Sequence, residues 1–563
     1  MITIDKVNES FIKLSFDNQE ELKLVYEYFS VQIPGIEFTP LFKAGLTDGM
    51  KRLITKQGHL LWGLKDRLIQ FCENNDIEVQ DNDVREINEF ITYEFVEEFC
   101  KYLDLEFEPY EHQIQGVMTL LRNIRAGITS ATGSGKSLVA NIIARYSLLN
   151  NLKMLLVVPN IGLVYQMESD FKEYFYNKEI QLKEKIKLEK DDIERSLLQS
   201  ELDSIYKNRK KLKCERIEDK IHCISGGIEK HSDKPILIST YQSIVPEHEV
   251  YDKVTDSYKI NGLVLDEYFE DIDLVLIDEM HQVSTDDASI ANILKLCHNA
   301  SYKGGMSGSV SGDLLKNLSI EGLIGKIYPI INLRELIDLG LATEVAIRPI
   351  YLKYNKGDCK AIKGMKYPEE SKYIRTLEVR ALFIAKLIYT QMKQGLNVVC
   401  VYGNNDVGDL ILENVVKLLD SERQFNIKDY QQNNDLNVYY ARGNTKAEKR
   451  EEFRKLLESS SGSVLIGNTK VISTGINIKN LHTLVLAQLG KAEEVLMQSI
   501  GRLTRLHNSK NQVNIYDIVD DARYYTRTGR EYNNYLFSHF LSRLDIYIKM
   551  DLLVQEPVSI QLT

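Results

Sequence analysis

Ser130-Ala131-Thr132-Gly133-Ser134-Gly135-Lys136-Ser137 follows a short apolar run and precedes a helical one, Leu138 to Leu149, so its glycines fall where a strand turns into a helix. A turn of this kind binds phosphate. Gly133 and Gly135 let the backbone bend tightly and aim N–H groups at a β-phosphate, Lys136 reaches the β/γ oxygens, and the Ser137 hydroxyl can ligate Mg²⁺. Thr132 and Ser134 complete the nucleotide-binding loop, and the helix that follows adds its positive end. Ser130 stands where the GxxxxGK[ST] pattern has its first glycine, so the match rests on GxGKS.

The chain around this loop has 563 residues, enough for about three or four domains with full cores. A formal charge of −11 argues against a protein that coats nucleic acid indiscriminately, though an acidic average leaves room for a local basic groove. Seven cysteines are scattered with no CxxC pair and no Cys/His cluster, which suggests neither zinc nor a disulfide framework and fits a reduced cytoplasm. Met1-Ile2-Thr3-Ile4 alternates like a strand, and no apolar run nears the roughly 18 residues of a membrane span. A soluble, cytoplasmic protein without membrane contact is expected.

Residues 1–104 read as a small α/β module, with alternating Ile2/Ile4 and Phe11/Leu14/Phe16, a helical Glu20 to Phe29 and another helix from Trp62 to Asn75. Within it, Phe38 to Arg52 mixes aromatics, glycines and cations; this suits a nucleic-acid surface, and equally a hairpin packed on its own core. Residues 105–342 hold the phosphate loop. Gln113, near their start, can donate and accept at once, as the N6/N7 edge of adenine requires. Two buried parallel strands follow, Met154 to Pro159 and Ile236 to Thr240. Strand ends are where open α/β sheets bind ligands, so Pro159, Asn160 and Gln166 after the first, and Gly227, Thr240 and Gln242 around the second, are candidate nucleic-acid contacts. The stretch 172–220 is dense in charge, with apolar residues at helical spacing, and predicts an exposed helical hairpin whose Lys207, Arg209, Lys210 and Lys211 are its working end.

Leu274-Val275-Leu276-Ile277-Asp278-Glu279-Met280-His281 is an apolar strand ending in two acids. Asp278 is placed to hold Mg²⁺ and Glu279 to orient or deprotonate an attacking water. His281 couples this end to the next, Gly305-Met306-Ser307-Gly308-Ser309. Residues 343–563 form a second α/β unit with strands at Asn397 to Tyr402, Asn437 to Tyr440, Ser463 to Gly467 and Thr483 to Ala487, and with no second phosphate loop. Its distinctive parts are Thr469 to Ile478 and Gln498-Ser499-Ile500-Gly501-Arg502-Leu503-Thr504-Arg505. Arg502 and Arg505, three apart, are expected on one helix face, where both can point at one anion as arginine fingers.

Together, ATGSGKS, VVPNIGLVYQ, STYQS, DEMH, GMSGS, STGIN and QSIGRLTR resemble the superfamily 2 helicases of the DExH type over about residues 108–521. With FTPLFKAGLTDGMKR and STGINIKNLHTLVLA the likeness narrows to the phage UvsW-type helicases. The resemblance implies two RecA-like parallel-sheet lobes in tandem behind the N-terminal α/β module, with the charged helical insertion in the first lobe. It implies ATP and Mg²⁺ as cofactors, nucleotide contacts from His281, Gly475 and Gln498, and DNA contact at Thr469. The expected activity is ATP-dependent remodelling of branched DNA in recombination and repair: junction branch migration, fork regression and R-loop unwinding. A monomer in a host cytoplasm is expected. An RNA or RNA–DNA hybrid helicase is the same-class alternative, and a nucleotide-gated clamp without hydrolysis the other. His112 stands where the family commonly has an aromatic.

Overall fold

The computed structural model describes the chain apart from residues 84–86, 247, 253–256, 262, 284–288, 310–311, 421–435, 470–477, 489–492, 526–530 and 563. It divides into two compact units, Met1–Ser130 with Ser134–Ile331, and Ala131–Gly133 with Asn332–Thr563.

The first unit is built on seven parallel strands in the order Ile327–Ile331, Arg125–Ser130, Tyr302–Ser307, Leu274–Asp278, Met154–Val158, Ile236–Thr240, Ile221–Ile224. Continuous apolar runs are stable here because both faces of the sheet are covered. Met154, Leu156 and Val158 enter one core with the helix Lys136–Leu149, whereas Leu155 and Val157 enter a second core on the opposite face. The second unit repeats the plan with eight parallel strands. Val438–Ala441, Val464–Asn468, Val398–Tyr402, Thr483–Leu486, Gln512–Asp521 and Glu344–Lys353 lie in that order, and the last also pairs Leu553–Val554 and Val558–Gln561.

The N-terminal residues form their own sheet, in the order His59–Leu61, Phe11–Phe16, Ile2–Lys6, Val79–Asp81. They are not a separate body, because Ile2, Ile4, Ile12 and Leu14 share the second core with Val157, Val275 and Ile277. Polar contacts fix the same junction. Arg67 pairs with Glu321 at 2.7 Å, and the fully buried Lys303 donates to Ser10 Oγ and Leu294 O, both at 2.7 Å. The helix Leu314–Ile324 approaches so closely that a Cβ on Gly63 would lie 2.0 Å from the Glu321 carbonyl oxygen. Removing the first hundred residues would therefore strip one face of the lobe.

The charged insertion is a hairpin, but its first arm is no addition: the helix runs unbroken from Ile161 to Leu188 before the return helix Asp192–Lys211. Arg209 also departs from expectation. It is buried, paired with Glu179 and stacked 4.0 Å over the Phe175 ring, so it braces the hairpin's base, while Lys207, Lys210 and Lys211 are exposed. Beyond that brace Leu182, Leu202 and Ile205 form a small core of their own. Replacing residues 181–206 with a short Gly/Ser linker is therefore expected to leave basal ATPase within about twofold of the parent, since the distal arm carries no part of the lobe core. Collapse of folding or of basal turnover would place the arm in the lobe's cooperative unit.

Candidate nucleotide site and nucleic-acid surface

The phosphate loop takes the expected backbone. Gly133 and Gly135 have φ of 91° and 87°, a region that costs glycine nothing, and Gly135 begins the helix Lys136–Leu149. A Cβ on Gly135 would lie 2.2 Å from Gln113 Nε2, so the loop and the residue ahead of it are fitted to each other. Gln113 Nε2 donates to Ser134 O at 2.9 Å, while its Oε1 accepts from Tyr110 N at 2.9 Å. Both ends of this amide are thus engaged by the backbone, and here Gln113 holds the loop from behind. His112 does the same through Nε2, 2.9 Å from Ser134 O, with its ring stacked on Tyr110 at 5.7 Å. Ser134 Oγ meets Ser130 Oγ at 2.6 Å, which gives the serine in the pattern's first position a bracing role.

Lys136 Nζ lies 2.9 Å from Ser130 O, and Ser137 Oγ lies 2.9 Å from Tyr174 OH. Thr132 is half-buried in the loop. Asp278 ends its strand, and burial, then the charge of Glu279, hold its carboxyl well above the usual range. The charges of Lys136 and His281 draw it back down, so these groups share one electrostatic neighbourhood. Glu279 sits at φ 54°, ψ 53°, a left-handed conformation costing an ordinary residue about 1–2 kcal/mol. Strain of this kind at a strand end aims a side chain, and the surrounding packing holds it. His281 Nδ1 is 3.2 Å from Glu279 Oε2 and 2.8 Å from Ser307 Oγ, which joins the acid pair to the neighbouring strand end.

The expected placement of Arg502 and Arg505 on one helix face needs correction. The helix Glu493–Leu503 ends at Leu503, so Arg502 lies in its last turn and Arg505 lies beyond it; the two do not share a helix face. The helix stops because its final carbonyls have other donors: Thr504 Oγ1 on Gly501 O at 2.9 Å and Lys510 Nζ on Leu503 O at 2.7 Å. Gln498 is on this helix, its side chain outside the described residues, as is the whole of Gly475.

Of the strand-end residues, Asn160 caps the helix Ile161–Leu188 by accepting from Leu163 N at 3.1 Å, and Thr240 is buried with its Oγ1 2.9 Å from Ser243 Oγ. Gln166, Gly227 and Gln242 are exposed, and Pro159 is half-buried. In the second unit Thr469 lines a cavity of 840 Å³ with Lys372, Gly403, Asn404, Arg442 and Asn468. Sequence reading missed these companions, although the rule applied to the first sheet would have found them, since Gly403 and Arg442 directly follow the strands Val398–Tyr402 and Val438–Ala441. Near the N-terminus, Phe38 is 74% exposed and Lys43 is exposed, but Phe42 folds toward Gly49 and Arg52 pairs with Asp48. Among the described residues no cluster of His, Cys, Asp and Glu could hold a metal alone, and no helix is long and apolar enough to cross a membrane.

Three family models match stretches of the chain. Residues 3–81 match the family model for the N-terminal region of the DNA helicase UvsW, 106–309 that of the type III restriction enzyme res subunit, and 384–507 the helicase conserved C-terminal domain. The chain is 27% identical over 537 residues to the ATP-dependent DNA helicase uvsW of Enterobacteria phage T4, covering 92% of each. It is 24% identical to a putative helicase of a Sulfolobus islandicus filamentous virus, over 79% of this chain and 71% of that one. Among solved structures, a fragment of a putative type I restriction HsdR subunit from Vibrio vulnificus shares the fold at a TM-score of 0.50 and 17% identity, covering 94% of this chain and 83% of that one. A phosphate loop, an Asp-Glu strand end tied to a serine on the next strand, a second parallel sheet with Arg502 and Arg505 at and just past the end of the helix Glu493–Leu503, and a UvsW-type N-terminal sheet thus lie on one chain, which makes it a UvsW-like helicase of superfamily 2.

Proposed function

We propose that this protein is an ATP-dependent DNA helicase or translocase that remodels branched DNA: four-way junctions, stalled forks and R-loops. The observation that carries the reading is the shared electrostatic neighbourhood of Lys136, Asp278, Glu279 and His281, since a binding clamp has no use for a strained acid beside the metal carboxylate. The loop fits a nucleotide: Gly133 and Gly135 hold φ of 91° and 87° at the start of a 14-residue helix, where backbone N–H groups and the helix's positive end favour a phosphate. Ser137 and Asp278 would hold Mg²⁺, which when bound neutralises phosphate charge. Lys136 faces the β/γ-phosphates, Glu279 orients and deprotonates the attacking water, and Arg502 and Arg505 carry the cations for the transition-state charge.

Grip on the strand comes from polar groups at strand ends, with Thr469, Asn404 and Arg442 around the second unit's cavity as phosphate partners. Binding is then weakly sequence-dependent and salt-sensitive. Phe38 offers a base-sized stacking face beside Lys43, suited to a junction where bases are already unpaired. The protein acts as a monomer, and RNA–DNA hybrids are substrates through R-loops. The test is ATPase across single-stranded, duplex, forked and four-way DNA, paired with junction migration by the double variant Phe38→Ala/Lys43→Ala. Stimulation should be greatest on branched DNA, and the variant should migrate junctions about tenfold more slowly with single-strand-stimulated ATPase unchanged. An ATPase indifferent to DNA would overturn the helicase reading, and unimpaired migration would remove Phe38 and Lys43 from junction contact.

A further inference from the structure

Lys510 lies seven residues past the end of the arginine-bearing helix and is 7% exposed. Its Nζ donates to Leu503 O at 2.7 Å, the carbonyl between Arg502 and Thr504. Among the described residues no carboxylate pairs with it. Burying an ammonium without a counter-charge is costly, and an apolar side chain would fill the same space at less cost. What the cation gains is the negative end of a helix dipole, concentrated on the last-turn carbonyls. The path beyond is pinned from a second direction: Thr343 N donates to Thr504 O at 2.6 Å and Thr343 Oγ1 to Arg505 O at 3.2 Å. Lys510 is itself held in a tied turn, with its N–H on His507 O at 3.1 Å and the neighbouring Ser509 Oγ on Asn480 Oδ1 at 2.6 Å.

We infer that Lys510 is a positioning residue for ATP hydrolysis, its ammonium fixing, together with Thr343, the backbone that presents Arg502 and Arg505. The inference rests on the reading of those arginines as the cations of the reaction. It has a consequence in pH. Burial pushes the Lys510 amine down to about 8, and the titratable groups beside it are His482 and His507. Above that pH the amine is neutral and its attraction to the helix end falls, so the arginine segment loosens. Stability moves the other way. A lysine with a depressed folded pKa disfavours the fold most when protonated, so the fold gains as pH rises from about 8 toward the unfolded value near 10.4. Activity lost above pH 8 is thus separable from unfolding.

The experiment measures kcat and KM for ATP of the single-strand-DNA-stimulated ATPase between about pH 6.5 and 9.5, with melting temperatures, for the full-length parent, Lys510→Met, Lys510→Arg and Arg505→Ala. Expected are a parent kcat that falls several-fold through pH 8 without a matching fall in melting temperature, and a Lys510→Arg variant that keeps its kcat at pH 9. Lys510→Met should lose about tenfold in kcat at pH 7 with KM nearly unchanged, the mark of an effect confined to the transition state. If Lys510→Met does not fold, the parent and Lys510→Arg profiles decide. An alkaline limb that is absent from the parent, or present unchanged in Lys510→Arg, overturns the inference, as does a parental kcat in a folded Lys510→Met. A parental kcat in Arg505→Ala strikes the arginine reading itself and the inference with it, whereas an impaired Arg505→Ala beside an intact Lys510→Met strikes Lys510 alone.

Discussion

Lys136→Ala is expected to abolish ATP hydrolysis, with kcat down by on the order of 10³ or more, while melting shifts by no more than about 0.5 kcal/mol. The two halves of this prediction have different structural roots. The lysine opens the helix Lys136–Leu149, but the helix is anchored by Leu138, Val139, Ile142 and Ile143, all in the core, and alanine is the best helix former available. Its ammonium sits 2.9 Å from Ser130 O, within the loop it serves, and contributes charge rather than packing. Without it the β/γ-phosphates lose their cation, and Asp278 loses a neighbour that draws its carboxyl toward ionisation. Nucleotide binding and metal affinity should therefore weaken together. A folded variant with parental ATPase would sink the phosphate-loop assignment; the checks are steady-state turnover, nucleotide titration and a thermal melt.

How much of this was legible beforehand follows from where each signal resides. Met154–Val158, Ile236–Thr240 and Leu274–Asp278 announce themselves because a parallel strand covered on both faces must be apolar at every position. Tyr302–Ser307 and Arg125–Ser130 are harder. Lys303 and Arg125 are buried in them, held by partners outside the strand, Ser10 and Leu294 for one and the Glu9 carboxylate at 3.7 Å with the Trp62 ring at 4.8 Å for the other. No local pattern reports such a partner. The long strand Gln512–Asp521 hides for the same reason, since Asp517 and Asp520 are buried against Arg543 and Arg380.

In the site, the glycines and the Asp-Glu pair were readable because their chemistry is local. Three features were not: that Gln113 would brace the loop, that Arg505 would fall outside the helix, and that Arg209 would turn inward onto Glu179. Each depends on a tertiary partner that outbids the local preference. The shared core beneath the N-terminal sheet is of the same kind, for Ile2 and Ile4 look alike whether they cover their own sheet or the neighbouring one.

Glu279→Gln should keep ATP binding and lose turnover by on the order of 10² or more, the range for removing a general base. Glutamine preserves the shape and one oxygen for His281, now 3.2 Å from the carboxylate, so the link to Ser307 can persist. The loss is then chemical, not structural. Affinity has its own expectation: the charge of Glu279 is, after burial, the largest influence holding the Asp278 carboxyl up, so its removal leaves Asp278 more readily ionised and its hold on Mg²⁺ undiminished. Bound nucleotide should accumulate unhydrolysed. The left-handed backbone supplies a control that separates base from scaffold. Glu279→Gly relieves a strain of about 1 kcal/mol and should melt no lower than the parent, yet it too should be inactive. Single-turnover hydrolysis, nucleotide affinity and melting of the two variants decide the matter: turnover near the parent's in either one would remove Glu279 from the chemistry and return the water-activating role to another group at the end of Leu274–Asp278.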